Sequence, residues 1–372
     1  MTTKVINPKT LRKSNKVNIK FILWSKGDMS RLQLAKELKL TKASITQIVN
    51  DLVYEGEVEE IGNVEKKSAG RPEVLLRLNT KKHIAIGLNI ENDKTHISIC
   101  TLDTILEDYV YPTAEKIKDV QDIIELLKPV VKKWRYPYAP IGIGVGIVGI
   151  VEKGVSVNSY GILPNNSDIK KALEAEFDMP VKVINNIHAQ ARVLLKGSED
   201  NFMLIKHSPG IGCAIISNGK VLGGEHLVAG EIGHVVVEKN GLQCRCGKKG
   251  CLEAYTAEWH IEDLYYTKTN NKLSVSEIYD KYGIDKIATE ILEDAIQYLV
   301  LAIANTSTII DPKHIIVTGG LFNNDRLYDL VIERVRELGL KADCDISRVA
   351  DGESIKAFAG AKDIIMNKIL EV

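Results

Sequence analysis

The chain has 372 residues. Because a single hydrophobic core rarely supports a chain of this length, two or three domains are expected. Basic and acidic side chains number 49 each, and this balance by itself indicates no polyanionic partner. Residues 1–79, however, hold 15 basic and 9 acidic side chains, a net charge of +6, which leaves −6 for the remainder. A basic module of this kind is typical of nucleic-acid or membrane binding, although a solvated face with surplus lysines gives the same count.

Apolar runs are too short for a membrane protein. None approaches the ~20 residues that span a bilayer, and the first residues lack the apolar core of a signal peptide. We therefore expect a cytoplasmic protein with no membrane contact. In that compartment the six cysteines are not expected to form a disulfide framework.

Three short helices are predicted at the start of the chain. Apolar residues at 17–24 indicate the first, which ends near Gly27. Ser30 precedes a second apolar-periodic stretch, and Thr41 stands where the N-cap of a third helix is expected. The tight turn between the second and third helices favours a helix-turn-helix.

A β-hairpin follows these helices. After Gly56 the sequence reads VEEIG, a lysine-rich tip NVEKKSAGRP, and VLLRLN. Three helices and a hairpin make a winged helix over residues 1–79, with a small helical bundle and an incidental hairpin as the alternative. The candidate DNA-binding residues are the outward-facing positions of the third helix and the charges of the tip: Thr41, Lys42, Ser44, Gln47, Lys67 and Arg71.

These side chains suit different parts of DNA. Gln47 can pair bidentately with adenine, whereas Lys42 can reach guanine or a phosphate. Arg71 projects from a stiff Gly-Arg-Pro turn, and a narrow minor groove attracts such a guanidinium. A solvated charge at the edge of the hairpin is the alternative for Arg71.

Strands and helices alternate beyond Asn79. Strand-like runs such as HIAIGLNI, FMLIK and HIIVTGG lie between amphipathic helices near 119–134, 287–309 and 325–338. Alternation of this kind predicts layered α/β domains whose sheets are largely covered.

One histidine and three cysteines form a cluster with metal-ligand spacing. His234 lies ten residues before Cys244, and Cys246 and Cys251 follow closely. One imidazole and three thiolates match a closed tetrahedral zinc site, which leaves no open position for water and is therefore structural. A reducible disulfide or buried free thiols are the alternatives.

The stretch GEIGH followed by CRCGKKGCLE resembles the zinc signature of the ROK family of repressors and sugar kinases, and the resemblance, to its repressor branch, covers essentially the whole chain. It implies an α/β protein with an N-terminal winged helix-turn-helix and a two-lobed, actin- or RNase H-like domain similar to ROK sugar kinases. The implied domains are 1–79 for DNA binding, 80–195 for the smaller lobe, completed by a C-terminal helix at 355–372, and 196–354 for the larger lobe with the zinc site and dimer interface.

The resemblance also implies a sugar site. In family kinases an Asn-Asp pair, the Glu and His of GExGH, and a Glu after the last zinc cysteine hold the sugar, and zinc fixes the histidine so that its other nitrogen meets a sugar hydroxyl. Asn186 here replaces the Asp that acts as general base, and an amide has no useful basicity. The positions of this chain that match the sugar-holding residues of the family kinases are Asn185, Asn186, Glu231, His234 and Glu253.

The phosphate-binding loop of the family kinases is altered as well. Their pattern G-x-D-x-G-G-T reads GLNIENDK here, with Asn89 for the Asp, Glu91 and Asn92 for two glycines, and Asp93 for the Thr. Two carboxylates then stand where phosphates bind, so no kinase activity is expected, and the protein is predicted not to be an enzyme.

The predicted function is that of a repressor of carbohydrate-utilisation genes, controlled by a sugar in a kinase-like but inactive cleft. A homodimer, with a tetramer also allowed, would read a pseudo-palindromic double-stranded DNA operator. A sugar kinase with a DNA-binding appendage and a repressor controlled by a protein partner remain alternatives. The sugar is not identified by residue types alone, and Asn165 and Asn166 are candidates for its selection.

Overall fold

The structure is a computed structural model. It describes residues 8–64, 73–133, 139–195, 200–341, 343–349 and 353–370.

Contacts divide the chain into two compact units. The first comprises Met1–Gly149, Lys153–Ile184 and Lys356–Val372, and the second comprises Ile150–Glu152 and Asn185–Ile355. The predicted DNA-binding domain therefore shares a unit with the lobe that follows it. Residues 185–195, which the sequence prediction assigned to the smaller lobe, fall in the second unit.

The N-terminal part of the first unit, called the head here, has the geometry of a winged helix. Three helices are followed by two antiparallel strands, and a two-residue strand completes a sheet in the order β1-β3-β2. The elements of the head are α1 (Pro8–Lys26), β1 (Met29–Ser30), α2 (Arg31–Leu38), α3 (Lys42–Tyr54), β2 (Val58–Val64) and β3 (Glu73–Leu78).

Side-chain caps begin the second and third helices, and the cap at Thr41 was predicted from the sequence. The Ser30 hydroxyl accepts a hydrogen bond from the Gln33 backbone N–H, and the Ser30 N–H donates to Gln33 Oε1 at 2.7 Å. The Thr41 hydroxyl accepts from the Ser44 N–H. Gly27, with φ of 83°, follows the end of α1 in the left-handed region that glycine enters without strain.

The rest of the first unit is built on a five-stranded sheet in the order β10-β7-β4-β5-β6. Strands β4 and β7 are parallel, whereas β5 is antiparallel to both β4 and β6. The elements of this part are β4 (Ala85–Ile90), β5 (Lys94–Cys100), β6 (Ile105–Pro112), α4 (Thr113–Lys116), α5 (Val120–Lys132), β7 (Ile143–Ile147), β9 (Val155–Asn158), α6 (Ile169–Phe177) and β10 (Val181–Asn185). Strand β8 (Ile150–Glu152), which follows β7 in the chain, belongs to the second unit.

The second unit contains another five-stranded sheet, in the order β13-β12-β11-β14-β15. Its central pair β11 and β14 is parallel, and long helices cover an apolar core on one face. The elements are α7 (Asn186–Leu194), β11 (Phe202–His207), β12 (Ile211–Ser217), β13 (Lys220–Val221), α8 (Glu253–Thr256), α9 (Glu258–Thr269), α10 (Val275–Asp280), α11 (Lys286–Ile310), β14 (His314–Thr318), α12 (Asp325–Glu337) and β15 (Asp345–Arg348).

The C-terminal helix α13 (Glu353–Leu370) packs against the sheet of the first unit. A side chain at Gly87 would collide with the Ala357 carbonyl, and one at Gly144 would collide with the backbone of Gly360. Glycines therefore allow helix and sheet to approach closely. Within the described residues, no helix is both long and apolar enough to cross a membrane.

Candidate functional site

The predicted zinc ligands come together in the second unit. His234 belongs to a short 3-10 helix, Ile232–His234, and three cysteines come from the loop that follows. The four ligand atoms lie within 4.8 Å of one another. His234 Nδ1 is 3.7 Å from Cys244 Sγ, and Cys246 Sγ is 3.6 Å from Cys251 Sγ. Tetrahedral zinc holds such atoms roughly 3.5–3.8 Å apart, so the group fits a metal of this kind.

The loop that carries the cysteines, residues 235–251, is held by its own backbone and by two side chains. Gly250, with φ of 79°, lies so close to the Glu238 carbonyl that any side chain would collide with it. Lys248 Nζ donates to the His234 carbonyl at 2.9 Å, and the Leu242 N–H donates to the Tyr255 hydroxyl at 2.7 Å. The ligand geometry is therefore built into the fold of the loop.

Two predicted sugar-binding carboxylates lie near the histidine. Glu253 Oε2 accepts a hydrogen bond from the Ile211 N–H at 3.2 Å, and a Cβ at Gly210 would come within 2.6 Å of the same oxygen. Burial raises the pKa of Glu231, the nearby His234 opposes the rise, and the charge of Glu253 adds to it. The structure thus brings Glu231, His234 and Glu253 together.

The predicted amides lie where β10 meets α7. Asn185 is the N-cap of α7, and its Oδ1 accepts from the N–H groups of Ile187 and His188 at 2.9 and 3.3 Å. Asn186 is buried, and its Oδ1 also accepts from the Ile187 N–H at 2.9 Å. The Ile187 side chain in turn packs 3.7 Å from where a Cβ at Gly212 would stand. Both amides therefore also serve the helix terminus.

The segment that replaces the kinase phosphate loop forms a tight turn between β4 and β5. Asn89 is fully buried, and among the described residues neither atom of its amide group has a hydrogen-bond partner. Glu91 is buried at the turn, and its N–H donates to the Lys94 carbonyl at 3.0 Å. Asp93 is exposed. The turn therefore carries a buried and an exposed carboxylate.

The predicted DNA-reading side chains of α3 lie on an exposed face, because Ile45, Ile48 and Val49 are buried on the opposite side. Two wing-tip candidates, Lys67 and Arg71, lie outside the described residues. The four candidates that the structure describes are all exposed: Thr41, Lys42, Ser44 and Gln47.

Two features of this face were missed by sequence reasoning. Tyr54 is 94% exposed and lies seven residues after Gln47, so the two share one helical stripe. Asn50 Oδ1 accepts from Arg31 at 3.2 Å, and Arg31 also pairs with Glu60 at 2.7 Å. The i, i+7 spacing was readable from the sequence, whereas the pairing of Arg31 depends on how β2 packs beside α2.

A groove of about 530 Å³ lies within the first unit, beside the loop considered for sugar selection. Residues 160–164 of that loop line the groove, whereas the candidates Asn165 and Asn166 do not. The groove is lined by Asn92, Thr113, Ala114, Ile117, Lys118, Tyr160, Gly161, Ile162, Leu163 and Pro164.

Curated proteins with similar sequences are regulators by name. The xylose repressor of Bacillus subtilis (strain 168) is 27% identical over 325 residues, which cover 83% of this chain and 83% of that protein. The DNA-binding transcriptional dual regulator NagC of Escherichia coli (strain K12) is 27% identical over 373 residues, which cover 92% and 91%.

Solved structures with the same fold include a regulator and a kinase. A ROK family transcriptional regulator, a homolog of the E. coli MLC protein, matches with a TM-score of 0.79 and 23% identity over 97% of this chain and 98% of that chain. The ROK hexokinase from Thermus thermophilus matches with a TM-score of 0.64 and 22% identity over 76% and 97%.

The sequence pattern shared by a whole protein family also matches this chain. The model described as the ROK family matches residues 85–365, which is well over half of the chain. The predicted α/β fold is confirmed by the solved structures. The chain belongs to the ROK family.

Proposed function

We propose that this protein is a sequence-specific DNA-binding repressor of carbohydrate-utilisation genes, and that a sugar bound in the second unit controls its binding to a pseudo-palindromic operator. The observation that carries the proposal is the presence, on one chain, of an exposed α3 face on a winged helix and a Glu231–His234–Glu253 group. Relatives named for xylose and N-acetylglucosamine repression support it. A homodimer would present two heads to the two half-sites.

The metal in this proposal is one structural zinc ion per chain. Zinc would bind His234 through Nδ1, the nitrogen nearest Cys244, and the ring would then direct Nε2 toward a sugar hydroxyl. With four protein ligands the ion has no position for substrate or water. Zinc bound there would therefore make the loop rigid and hold the ring of His234 in one orientation.

Phosphoryl transfer is not part of the proposal. An amide at Asn186 cannot take a proton from a sugar hydroxyl. Glu91 and Asp93 place negative charge on the turn that binds phosphates in the kinases, where it would repel them. The protein is therefore proposed to sense a sugar without modifying it.

Sugar binding can change operator affinity only if the sugar binds the DNA-free and DNA-bound states with different affinities, and an inducer binds the DNA-free state more tightly. A hundredfold difference in affinity corresponds to about 2.7 kcal/mol and would release most of the DNA. We propose that the sugar acts as an inducer. The opposite sign would make it a corepressor.

The proposal is tested in two stages with the full-length protein. An operator is first selected from a random pool of duplex DNA. A panel of sugars that begins with D-xylose and N-acetylglucosamine is then screened for thermal stabilisation, and each positive sugar is tested for release of the operator. We expect Glu231→Ala to keep operator affinity and to lose the sugar-dependent shift.

Other outcomes contradict specific parts of the proposal. Sugar-dependent ATP consumption would show a kinase with a DNA-binding appendage, the alternative that the likeness to the hexokinase raises. Operator binding that no sugar alters would favour control by a protein partner. A full thermal shift in Glu231→Ala would show that the sugar site lies elsewhere.

A further inference from the structure

The head is joined to the rest of the first unit by a short, structured connection. Six residues separate the last residue of β3, Leu78, from the first residue of β4, Ala85. The Asn79 N–H donates to the Glu57 carbonyl at 2.9 Å, and Asn79 Nδ2 donates to the Gly56 carbonyl at 3.1 Å. The connection is thus hydrogen-bonded to the turn between α3 and β2.

A cluster of charged groups spans the same junction. Lys82 Nζ lies 2.6 Å from both Glu57 Oε1 and the Glu55 carbonyl. His83 Nε2 lies 3.0 Å from Glu57 Oε1. The Glu57 side chain is only 12% exposed, and its partners belong to the segment that enters β4. Removing one partner of an ion pair with this little solvent access is strongly destabilising, because the other charge is left buried without a partner.

Apolar packing continues across the junction as well. One hydrophobic core includes Ile19 and Leu52 from the head together with Ile365 and Ile369 from α13. Trp24 of α1 lies beside α13, with the Lys362 ammonium 5.9 Å from the centre of its ring. Because α13 also approaches the sheet through its glycine contacts, it touches both the head and the sheet.

We propose that Glu57, held by Lys82 and His83, is a positioning residue that fixes the head on the sheet of the first unit, so that the two move as one body. The inference rests on the proposed function, because its consequence concerns operator binding. A head on a flexible tether adapts to a range of half-site separations. A fixed head reads one separation, and a ligand can redirect it only by moving the first unit as a whole.

The spacing of half-sites measures this property directly. Each base pair added between half-sites rotates one of them by about 34° around the DNA axis. We expect the wild-type chain to lose about tenfold or more in affinity when two base pairs are inserted into its selected operator, because one head then loses its half-site. In Glu57→Gln we expect the penalty to fall to about threefold or less, with unchanged affinity for an isolated half-site.

Two further variants keep the test decisive. Lys82→Ala removes one of the two partners of Glu57 from a partly exposed position, so it is expected to relax the spacing even if Glu57→Gln does not fold. Asp28→Asn removes an ion pair with Arg77 that lies wholly within the head, and it is expected to keep the strict spacing.

The outcomes separate the inference from the function on which it rests. A wild-type chain that tolerates the inserted base pairs, or Glu57→Gln and Lys82→Ala chains as strict as wild type, would overturn the positioning role alone. A chain that selects no operator would contradict the proposed function and, with it, this inference.

Discussion

Glu57 and Glu231 carry the same side chain, but their surroundings shift the pKa in opposite directions. At Glu57 burial alone would raise the pKa, yet the hydrogen bonds and charges of His83 and Lys82 outweigh it and lower the pKa to about 2. At Glu231 burial dominates, so the pKa rises. The first carboxylate is therefore held as an anion in an ion pair, whereas burial makes the second more easily protonated.

The pH dependence of stability tests the environment of Glu57. A lowered folded-state pKa stabilises the protein above the unfolded value of 4.5, and this contribution is lost as pH falls toward about 2. We expect Glu57→Gln to lower the free energy of unfolding by about 1–3 kcal/mol at pH 7, less than the full shift implies because Lys82 is partly solvated. The difference from wild type in urea denaturation should shrink between pH 4.5 and pH 3, and a pH-independent difference would contradict this account.

Gly210 offers a test of the Glu253 carboxylate without replacing it. A methyl group at Gly210 would stand 2.6 Å from Glu253 Oε2, so the carboxylate must move away from the Ile211 N–H. We expect Gly210→Ala to weaken sugar binding about tenfold or more, the effect of one charged hydrogen bond, while the midpoint of thermal unfolding without sugar changes little. Sugar binding is measured by titration calorimetry. Unchanged affinity would place the sugar away from Glu253.

At the scale of elements, the zinc loop and α13 show two ways of fixing a segment that lacks a large core of its own. The zinc loop, residues 235–251, has few buried side chains and depends on four ligands and on Gly250. Helix α13 depends on glycine contacts that bring its backbone against β4 and β7. Under the proposed function, a metal crosslink would replace apolar burial in the first case, whereas close packing provides the burial in the second.

Metal removal should loosen the loop while the sheet stays folded. We expect about one zinc ion per chain by mass spectrometry in wild type, and much less in Cys246→Ser, because three ligands hold zinc far more weakly than four. The matched control is Cys344→Ala, which removes a buried cysteine outside the cluster and should keep the metal. Equal zinc in Cys246→Ser and wild type would refute the site.

The glycine contact of α13 predicts a loss of stability. A side chain at Gly360 would collide with the Gly144 carbonyl, so Gly360→Ala is expected to lower the free energy of unfolding by about 1–3 kcal/mol, the usual cost of overpacking. Gly212→Ala is the control, because its Cβ would meet Ile187 at an ordinary 3.7 Å. Urea denaturation measures both variants, and equal losses would show that helix packing does not require the glycine.

At the scale of the whole molecule, charge is divided along the chain. Residues 1–79 carry a net charge of +6 with 15 basic and 9 acidic side chains, while the remainder carries −6. Part of the basic charge is paired inside the head, for example Arg12 with Asp51 and Lys16 with Glu55. Under the proposed function, we therefore expect DNA binding to depend on a few exposed cations such as Lys42 and not on the charge of the whole protein.

The salt dependence of operator binding tests this arrangement. If Lys42 contacts a phosphate, Lys42→Ala should reduce the slope of log K against log salt by about 1 and weaken all sequences alike. If it contacts a base, the loss should be confined to one operator position. Lys128→Ala, in an ion pair with Glu125 on α5, should alter neither quantity. No effect in Lys42→Ala would remove Lys42 from the interface.

Local patterns predicted much of the fold. The caps at Ser30 and Thr41 and the helix over Lys42–Tyr54 follow from hydroxyl chemistry and apolar periodicity within a few residues. Strand β6 and helix α9 were not predicted. Polar and aromatic residues interrupt the apolar pattern of both segments, so their structure depends on what they pack against.

The sequence by itself determined the cluster of one histidine and three cysteines, the winged-helix pattern and the asparagine at position 186, because each depends on residue types at short spacing. The tertiary structure decided the joining of the head to its neighbouring sheet. Glu57 meets Lys82 across 25 positions, and Ile19 shares a core with Ile365 from the far end of the chain. Such contacts depend on how distant segments pack, which no local pattern encodes, and for this reason a boundary expected at residue 79 lies inside one unit.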